Sequence, residues 1–231
     1  MSEFNALVTG ASRGIGAAVA REFAAAGGNL VLAARTEDSL TAVAAEITDG
    51  GGTAIPVAVD VREEAAVRSL VDATAEALGT IDVLVACAGI YSGESGHTPL
   101  PEERYESFDD HMSTNARGVF ATIREAAPHL TPEARVLVPS GIPARQATPG
   151  TGAYAVSKAA AEAVARGFAA DLEQVVGVVD PGQVITELSG KETGREPDEV
   201  APLFVWAALE APAETVDGEV VGLREWRQAT R

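Results

Sequence analysis

A tyrosine and a lysine that lie four residues apart are the clearest candidates for chemistry in this sequence. Tyr154 and Lys158 fall in an Ala-rich stretch, residues 153–172, whose apolar residues have helical spacing, so one helix face would present both side chains. A phenol has a pKa of about 10 and is a weak acid–base catalyst near neutral pH. A neighbouring ammonium favours the phenolate and lowers that pKa. The spacing predicts a proton-transfer pair; the alternative is two exposed side chains on a surface helix.

A glycine-rich loop directly follows the first apolar run of the chain. The loop, Thr9-Gly10-Ala11-Ser12-Arg13-Gly14-Ile15-Gly16, is followed by a helical stretch. Gly10 would allow a tight turn, Gly14 a close approach of the backbone to a ligand, and Gly16 close packing of the helix on the strand. The helix N-terminus would offer free N–H groups to a pyrophosphate. We predict a dinucleotide site with contacts from Gly10, Ser12, Arg13, Gly14, Ile15 and Gly16; the alternative is a tight turn that binds nothing.

The end of the second apolar run bears on the choice between two dinucleotides. Folds that prefer NAD usually place an acid about 20 residues after the glycine loop, on the adenosine ribose. Here Ala34 occupies that position and Arg35 follows it. A guanidinium suits a 2′-phosphate, and Arg13 could supply a second positive charge. We therefore predict NADP(H), with NAD(H) less favoured; the alternative is that both arginines are solvated surface charges.

Short apolar runs rich in Val, Ile and Leu alternate with helical stretches along the chain. Such runs are typical of strands that are buried on both faces, and their alternation with helices is typical of a doubly wound sheet. The runs are residues 4–9, 30–34, 54–59, 81–86, 136–139, 175–179 and 216–221, and the helical stretches are 17–26, 40–47, 65–78, 153–172 and 200–209. We predict an α/β fold, one Rossmann-like domain over residues 1–231 with a doubly wound parallel sheet of about seven strands and helices on both faces. Loops 89–101, 141–152 and 182–197 would lie at the carboxyl edge of the sheet, where ligands bind.

The composition excludes several classes of partner. The 231 residues carry a net charge of −17, which should repel nucleic acids and anionic membranes. The single cysteine, Cys87, allows no internal disulfide, no apolar run approaches the ~20 residues of a membrane span, and no signal peptide is visible. The histidines, His97, His111 and His129, lack the spacing of a metal site. We expect a cytoplasmic protein that acts on a small molecule, with no metal, nucleic acid or membrane partner.

With these motifs in this order, the sequence resembles the short-chain dehydrogenases/reductases over essentially its whole length. The glycine loop corresponds to the family's T-G-x-x-x-G-x-G, and residues 154–158 correspond to its Tyr-x-x-x-Lys. The remaining family motifs are Asp-Val after the third strand, here Asp60-Val61; a helix Asn, here Asn115; and Pro-Gly with a Thr, here Pro181-Gly182-Gln183-Val184-Ile185-Thr186.

The resemblance implies an activity, a cofactor arrangement and an assembly. The activity would be NADP(H)-dependent transfer of hydride between nicotinamide and a carbonyl or secondary alcohol, with Tyr154 as general acid in reduction and general base in oxidation. Lys158 would hold the nicotinamide ribose, and Asn115 would anchor a water in the proton path. The other implied cofactor contacts are Asp60 and Val61 at the adenine, the backbone of Ala88 and Gly89, and Pro181, Gly182, Val184 and Thr186 beside the nicotinamide. The implied assembly is a homotetramer or homodimer.

The sequence departs from the family pattern at two places. The family's Asn-Asn-Ala-Gly after the fourth strand reads Ala86-Cys87-Ala88-Gly89, and we expect Cys87 to be a small buried residue rather than a reactive thiol. The family's catalytic serine position, counted back from Tyr154, falls on Gly141, whereas Ser140 is one residue earlier. Either the following loop carries one extra residue and Ser140 is catalytic, or the hydroxyl is absent, which we favour.

The missing hydroxyl raises a second hypothesis for the function. Loss of one such donor typically costs ~10²–10³ in rate, so the chain could be a dinucleotide-binding sensor or structural subunit with impaired catalysis. The presence of Tyr154, Lys158 and Asn115 favours the enzyme. Nothing in the loops identifies a substrate.

Overall fold

A seven-stranded parallel sheet forms the centre of the protein, in a computed structural model that describes residues 3–190 and 192–231. The strands are β1 (Phe4–Thr9), β2 (Gly28–Ala34), β3 (Thr53–Ala58), β4 (Ile81–Ala86), β5 (Leu130–Pro139), β6 (Val175–Asp180) and β7 (Val220–Gly222). Their order across the sheet is β3-β2-β1-β4-β5-β6-β7. The predicted doubly wound parallel sheet is therefore confirmed.

The helices connect successive strands and cover both faces of the sheet. They are α1 (Gly14–Ala25), α2 (Glu37–Asp49), α3 (Glu64–Leu78), α4 (Tyr105–His111), α5 (Gly118–Ala126), α6 (Gly152–Asp171), α7 (Pro197–Leu209), α8 (Ala213–Val216) and α9 (Leu223–Ala229). One buried cluster joins the sheet to α1, α2 and α7 through residues such as Phe23, Leu40 and Phe204. A second cluster joins the opposite face to α3, α5 and α6. The central strands are thus covered on both faces, as the apolar runs predict, whereas the edge strand β3 is only partly buried.

A π-helical segment, Met112–Arg117, joins α4 directly to α5. Single turns of π-helix inside α-helices are rare and frequently lie at functional sites. Asn115 lies in this segment and is fully buried. The widened turn therefore marks the position of a predicted site residue.

The strand order reverses between β1 and β4, which are direct neighbours. Thr9 at the end of β1 pairs with Ala86 at the end of β4, and each strand is followed by a loop at the same edge. Ligands of open α/β sheets bind outside the carboxyl ends of the strands at such a reversal. The fold therefore places the glycine loop and the loop after β4 beside one crevice.

Membrane-spanning helices and metal-binding clusters are both absent from the described ranges. Among residues 3–190 and 192–231, no helix is long and apolar enough to cross a membrane. The same residues contain no group of three or more His, Cys, Asp or Glu side chains that could hold a metal ion.

Candidate active site

A cleft of about 520 Å³ opens at the carboxyl ends of β1 and β4. It brings together nearly all of the residues that the sequence predicts for cofactor and catalysis. The predicted residues that line it are Gly10, Ser12, Arg13, Gly14, Ile15, Gly16, Arg35, Asp60, Val61, Ala88, Gly89, Asn115, Ser140, Tyr154, Lys158 and Thr186. The candidate acid–base pair and the candidate dinucleotide loop therefore share one site.

The glycine loop lies against the backbone of the loop after β4. Gly10 has φ 69°, and a Cβ atom there would lie 2.8 Å from Ala88 Cα. A Cβ on Gly16 would lie 2.3 Å from the Gly10 carbonyl oxygen. Only glycine fits either position without moving the backbone. The approach explains why the loop is glycine-rich and leaves its N–H groups at the cleft.

The N-terminus of α1 points its free N–H groups toward this cleft. No side chain among the described residues caps the helix, and its first turn contains no acid. Uncapped N–H groups and the positive end of the helix dipole together favour an anion such as a pyrophosphate. The loop and helix therefore fit a dinucleotide cofactor.

The far end of the cleft carries a cationic and hydroxyl-rich cluster. Ala34, Arg35, Thr36 and Ser39 line it directly after β2. Of these residues, only Arg35 was predicted from the sequence. Thr36 directly precedes α2 and Ser39 lies in its first turn, and these positions could have indicated that both hydroxyls lie at the same end of the cleft. A guanidinium and two hydroxyls are suitable donors to a phosphate.

Asp60 lies at the same end and accepts several hydrogen bonds from Arg62. Its carboxylate is 2.9 Å from the Arg62 N–H and 2.7 Å from Arg62 Nη2. The hydrogen bond from the Arg62 guanidinium is the main cause that lowers the Asp60 pKa, and Arg35 adds to it. Asp60 is therefore a fixed anion at the rim of the cleft.

Tyr154 lies in an aromatic cluster at the opposite end. Its ring is 4.7 Å from the Tyr91 ring and 6.5 Å from the His111 ring. Burial is the largest cause that raises the Tyr154 pKa to about 12, followed by Tyr91, Asp180 and Cys87. The direction is opposite to the sequence prediction, because burial of the phenol and the neighbouring Asp180 both disfavour the phenolate. A phenol in this state is protonated at neutral pH and can act as a general acid.

The other two aromatic side chains are held by the loops around the site. The Tyr91 hydroxyl donates to the Gly150 carbonyl at 3.1 Å and lies 3.1 Å from the Thr98 hydroxyl. The buried His111 accepts from the Ser92 N–H at 3.2 Å, and its Nδ1 is 2.7 Å from the Ser107 carbonyl oxygen. Both ring nitrogens are thus engaged in the neutral form, so His111 is a packing residue here. Sequence analysis gave neither residue a place in the catalytic cluster.

Lys158 lies one helical turn after Tyr154 and faces the end of β5. Its Nζ donates to the Pro139 carbonyl at 2.6 Å. Burial lowers the Lys158 pKa, and Cys87 and Glu162 oppose that effect. An ammonium has three donor hydrogens, so the hydrogen bond to Pro139 orients the group and leaves hydrogens for a ligand in the cleft.

The Asn115 side chain orders the loop after β4. Its Nδ2 donates to the Ile90 carbonyl and to the Ser157 hydroxyl, both at 2.9 Å, and its Oδ1 accepts from the Ile90 N–H at 2.7 Å. Both amide hydrogens are therefore used within the protein. The expected role of Asn115 in anchoring a relay water stays a prediction, and such a water would have to donate to an oxygen of Asn115.

Ser140 and Gly141 differ sharply in their surroundings. The Ser140 hydroxyl donates to Glu162 Oε1 at 2.6 Å, and Ser140 is 8% exposed. Gly141 has φ −167° and ψ 172°, and a Cβ atom there would meet only Pro143 Cδ, at 3.7 Å. A serine would therefore fit at 141 without strain. The open space at Gly141 is consistent with the favoured alignment, in which Gly141 occupies the family's serine position. Ser140 also lines the cleft, and its catalytic role stays a prediction.

Three predicted nicotinamide contacts do not line the cleft. Pro181, Gly182 and Val184 are absent from its lining, which here consists of Ile185, Thr186, Glu187 and Leu188. Val184 is 5% exposed because its side chain packs inside the protein, and the Arg195 guanidinium lies 3.3 Å from where a Gly182 Cβ would be. Of these four predicted contacts, Thr186 alone lines the cleft, and the cofactor contacts of Pro181, Gly182 and Val184 stay predictions.

Arg13 reaches across the cleft to this same segment. Its guanidinium forms an ion pair with Glu187, and both side chains are mostly exposed. Glu187 was not assigned to the site from the sequence. The pair spans the cleft between the glycine loop and the loop after β6.

Two further residues complete the cleft. The Thr114 hydroxyl is buried and lines it, and it is the buried side-chain polar atom that has no hydrogen-bond partner within residues 3–190 and 192–231. A buried hydroxyl without a partner is costly, so a ligand with a polar group fits there. Cys87 also lines the cleft, and burial raises its thiol pKa to about 11. The thiol is therefore protonated and unreactive at neutral pH, consistent with the sequence expectation.

Comparisons with known proteins indicate the same family as the motifs that line the cleft. Residues 5–197 match the family described as short chain dehydrogenase. A chloroplastic "NADPH-dependent aldehyde reductase-like protein" of Arabidopsis thaliana is 34% identical, over 79% of this chain and 73% of that protein. The glycine betaine reductase ATRR of Emericella nidulans is 31% identical over 83% of this chain, but the match spans only 15% of that much longer protein.

A solved structure agrees over nearly the full length of both chains. The alcohol dehydrogenase from the archaeon Thermococcus sibiricus, complexed with 5-hydroxy-NADP, superposes with a TM-score of 0.86 and is 30% identical, over 96% of each chain. The family match covers most of the chain, and the cleft carries that family's glycine loop and its Tyr-x-x-x-Lys pair. The chain therefore belongs to the short chain dehydrogenase family of oxidoreductases.

Proposed function

We propose that this protein is an oxidoreductase that uses NADP(H) to interconvert a carbonyl compound and a secondary alcohol. The observation that carries the proposal is that Tyr154 and Lys158 line the same cleft as the glycine loop. The cofactor would supply or accept the hydride. The Tyr154 phenol, protonated at neutral pH, would donate its proton to the carbonyl oxygen in reduction and accept one in oxidation.

The other site residues would bind and orient. The glycine loop and the N-terminus of α1 would hold the pyrophosphate. The Lys158 ammonium, oriented by the Pro139 carbonyl, would bind ribose hydroxyls with its remaining hydrogens. Asn115 would fix the loop after β4 through its hydrogen bonds to Ile90.

The preference for NADP(H) over NAD(H) is supported by the far end of the cleft. Arg35, Thr36 and Ser39 line it, and Ala34 replaces the acid that would repel a 2′-phosphate. The names of two similar proteins mention NADP or NADPH. Glu37 and Asp38 in the first turn of α2 oppose a phosphate electrostatically, but neither lines the cleft.

A dinucleotide-binding sensor or structural subunit is the second candidate. The observation that favours it is Gly141, which would leave the site without the family's hydroxyl in the alignment that places residue 141 at the serine position. A binding protein would retain the glycine loop but would not need a proton donor in the cleft. The presence of a protonated Tyr154 in the cleft therefore favours the enzyme.

A homo-oligomer is part of the proposal. Phe120 on α5 is 44% exposed and stacks on Phe168 of α6, with ring centroids 5.8 Å apart. Exposed aromatic pairs on helices are suitable for burial against a second copy. Light scattering after size exclusion should give a dimer or tetramer mass, and a monomer mass at micromolar concentration would contradict this part.

The function is tested by binding and turnover on the same sample. NADPH and NADH are titrated by fluorescence, and turnover is then measured on a panel of aldehydes, ketones and secondary alcohols. We expect tighter binding of NADPH by at least about tenfold, from charge-assisted hydrogen bonds to the 2′-phosphate, and measurable turnover. Tight NADPH binding without turnover on the panel would favour the sensor, and equal binding of both would overturn the preference.

A further inference from the structure

Arg145 bridges two carboxylates beneath the candidate active site. It lies just after the short 3₁₀ turn Ile142–Ala144 that follows Gly141. Its Nη1 is 2.6 Å from Glu162 Oε1, and its Nη2 contacts Asp180 Oδ2. The Arg145 side chain is 31% exposed, whereas Glu162 and Asp180 are 2% and 14% exposed. One guanidinium therefore pairs with two largely buried carboxylates.

Glu162 belongs to the helix that carries the acid–base pair. It lies one turn after Lys158 on α6, and its Oε1 also accepts from the Ser140 hydroxyl at 2.6 Å. A buried carboxylate is strongly unfavourable unless it is paired and hydrogen-bonded. The partners of Glu162 thus tie α6 to the end of β5, where Gly141 follows Ser140.

Asp180 belongs to a different segment of the site. It is the last residue of β6, and its Oδ1 accepts from the Gly182 N–H at 2.9 Å. This hydrogen bond shapes the turn that leads into the cleft-lining residues Ile185 and Thr186. Arg145 therefore connects that turn to α6.

We propose that Arg145 is a positioning residue that fixes the end of β5, α6 and the turn after β6 relative to one another, and that it compensates two carboxylates beside the Tyr154–Lys158 pair. Arg145 does not line the cleft, so it acts through the residues it holds. The proposal rests on the proposed function for its kinetic readout.

The charges around the pair give this role an electrostatic consequence. The titratable groups around Tyr154 and Lys158 are Cys87 at the end of β4, Tyr91 in the loop after β4, His111 on α4, Glu162 on their own helix and Asp180 on β6. Asp180 already raises the Tyr154 pKa. Without the guanidinium, that carboxylate would disfavour the phenolate more strongly, so the pH at which Tyr154 serves as a base would rise.

Arg166 offers a matched control. It is on α6, 54% exposed, and its Nη1 is 3.9 Å from Glu162 Oε2. Arg166→Gln removes one positive charge near the same carboxylate but breaks no contact with Asp180. Comparison of Arg145→Gln with Arg166→Gln therefore isolates the bridge from the loss of a charge.

The test measures kcat against pH for alcohol oxidation, with NADPH affinity measured alongside. For Arg145→Gln we expect kcat of carbonyl reduction at pH 7, measured on the same preparation while the Tyr154 phenol is protonated, to fall about tenfold or more from misplacement of the site. The kcat of oxidation should fall about threefold further at each pH, because the Tyr154 pKa rises. NADPH affinity should change less than about threefold, because the glycine loop and the cluster after β2 are untouched. Arg166→Gln should match wild type. If Arg145→Gln and Arg166→Gln had the same kcat and the same pH dependence of kcat, the proposal would be overturned.

Two additions keep the test decisive. If Arg145→Gln does not fold, Arg145→Gln with Glu162→Gln removes the buried carboxylate of α6 together with the guanidinium, and only the exposed Arg166 loses a partner there. The double variant should fold and still lose more activity in oxidation than in reduction, because Asp180 keeps its charge; a wild-type profile would overturn the proposal. If the wild type binds NADPH but has no turnover, the proposed function fails. The positioning role of Arg145 is then tested by hydrogen–deuterium exchange. Faster exchange in residues 141–152 and 181–186 is then expected for Arg145→Gln but not for Arg166→Gln, and unchanged exchange would overturn the positioning role.

Discussion

Ser140 donates its hydroxyl to the buried Glu162 at 2.6 Å. The serine nearest to the family's catalytic position therefore stabilises a carboxylate on α6. The next residue, Gly141, has extended backbone and open space where a side chain would lie. Ser140 and Tyr154 line the same cleft, but the hydrogen bond of the Ser140 hydroxyl is directed to Glu162.

Exchange of the two residues tests this directly. Ser140→Ala should change turnover less than about threefold but lower stability by about 2 kcal/mol, since a buried hydrogen bond to a charged group is lost. Gly141→Ser should raise carbonyl reduction, up to the ~10²–10³ that one oxyanion donor supplies. Thermal unfolding and NADPH affinity serve as controls. A large loss of turnover in a Ser140→Ala variant that folds and binds NADPH would show that Ser140 is the catalytic serine.

Arg35→Ala tests the choice of cofactor. We expect NADPH binding to weaken by about 2 kcal/mol and NADH binding to stay nearly unchanged, because only a 2′-phosphate takes charge-assisted hydrogen bonds from this guanidinium. Fluorescence titration of each cofactor measures both values. Equal losses of affinity for NADPH and NADH would show that Arg35 is an ordinary surface charge.

Thr114→Val tests the buried hydroxyl in the cleft. The valine should weaken NADPH binding by about 1 kcal/mol and raise the stability of the free protein, because it replaces a buried polar group that has no protein partner. Thr122→Val is the matched control, since the Thr122 hydroxyl donates to the Gly118 carbonyl at 2.7 Å outside the cleft. That variant should lose stability without losing NADPH affinity. Unchanged NADPH affinity in Thr114→Val would remove this hydroxyl from the cofactor site.

The raised pKa of Tyr154 predicts different pH dependences for carbonyl reduction and alcohol oxidation. Since the pKa is about 12, the phenol stays protonated and carbonyl reduction should be nearly flat from about pH 6 to 8. Oxidation needs the phenolate, so its rate should rise about tenfold per pH unit while the pH is below the pKa. Initial rates in both directions give the test. An oxidation rate that levels off below about pH 8 would contradict the assignment of a strongly raised pKa.

The sheet and most helices could be predicted because their apolar patterns are simple. β1 and β4 have the predicted bounds, since turn residues flank each buried run. β5 begins at Leu130, six residues before its predicted start, because Pro132 and Glu133 interrupt its apolar pattern. β7 is shorter than predicted, because Val216 ends α8 and the turn at Gly218, with φ 71°, separates it from Val220.

The site was predictable where chemistry depends on one residue type at one spacing. The glycine loop and Tyr154–Lys158 are of this kind, and both line the cleft. Arg145, Tyr91 and Thr114 were missed because their roles come from long-range contacts, such as that between Arg145 and Asp180. The direction of the Tyr154 pKa shift was wrong for the same reason, since burial by distant segments cannot be read from spacing.

The central claim is that Tyr154 is the proton donor and acceptor of an NADP(H)-dependent oxidoreductase. Its most direct test is kcat of Tyr154→Phe, measured with NADPH affinity on the same preparation. We predict a loss of at least ~10² in kcat with nearly unchanged NADPH affinity, because only the phenolic hydroxyl is removed. Near-wild-type turnover by a folded Tyr154→Phe that binds NADPH normally would contradict the account.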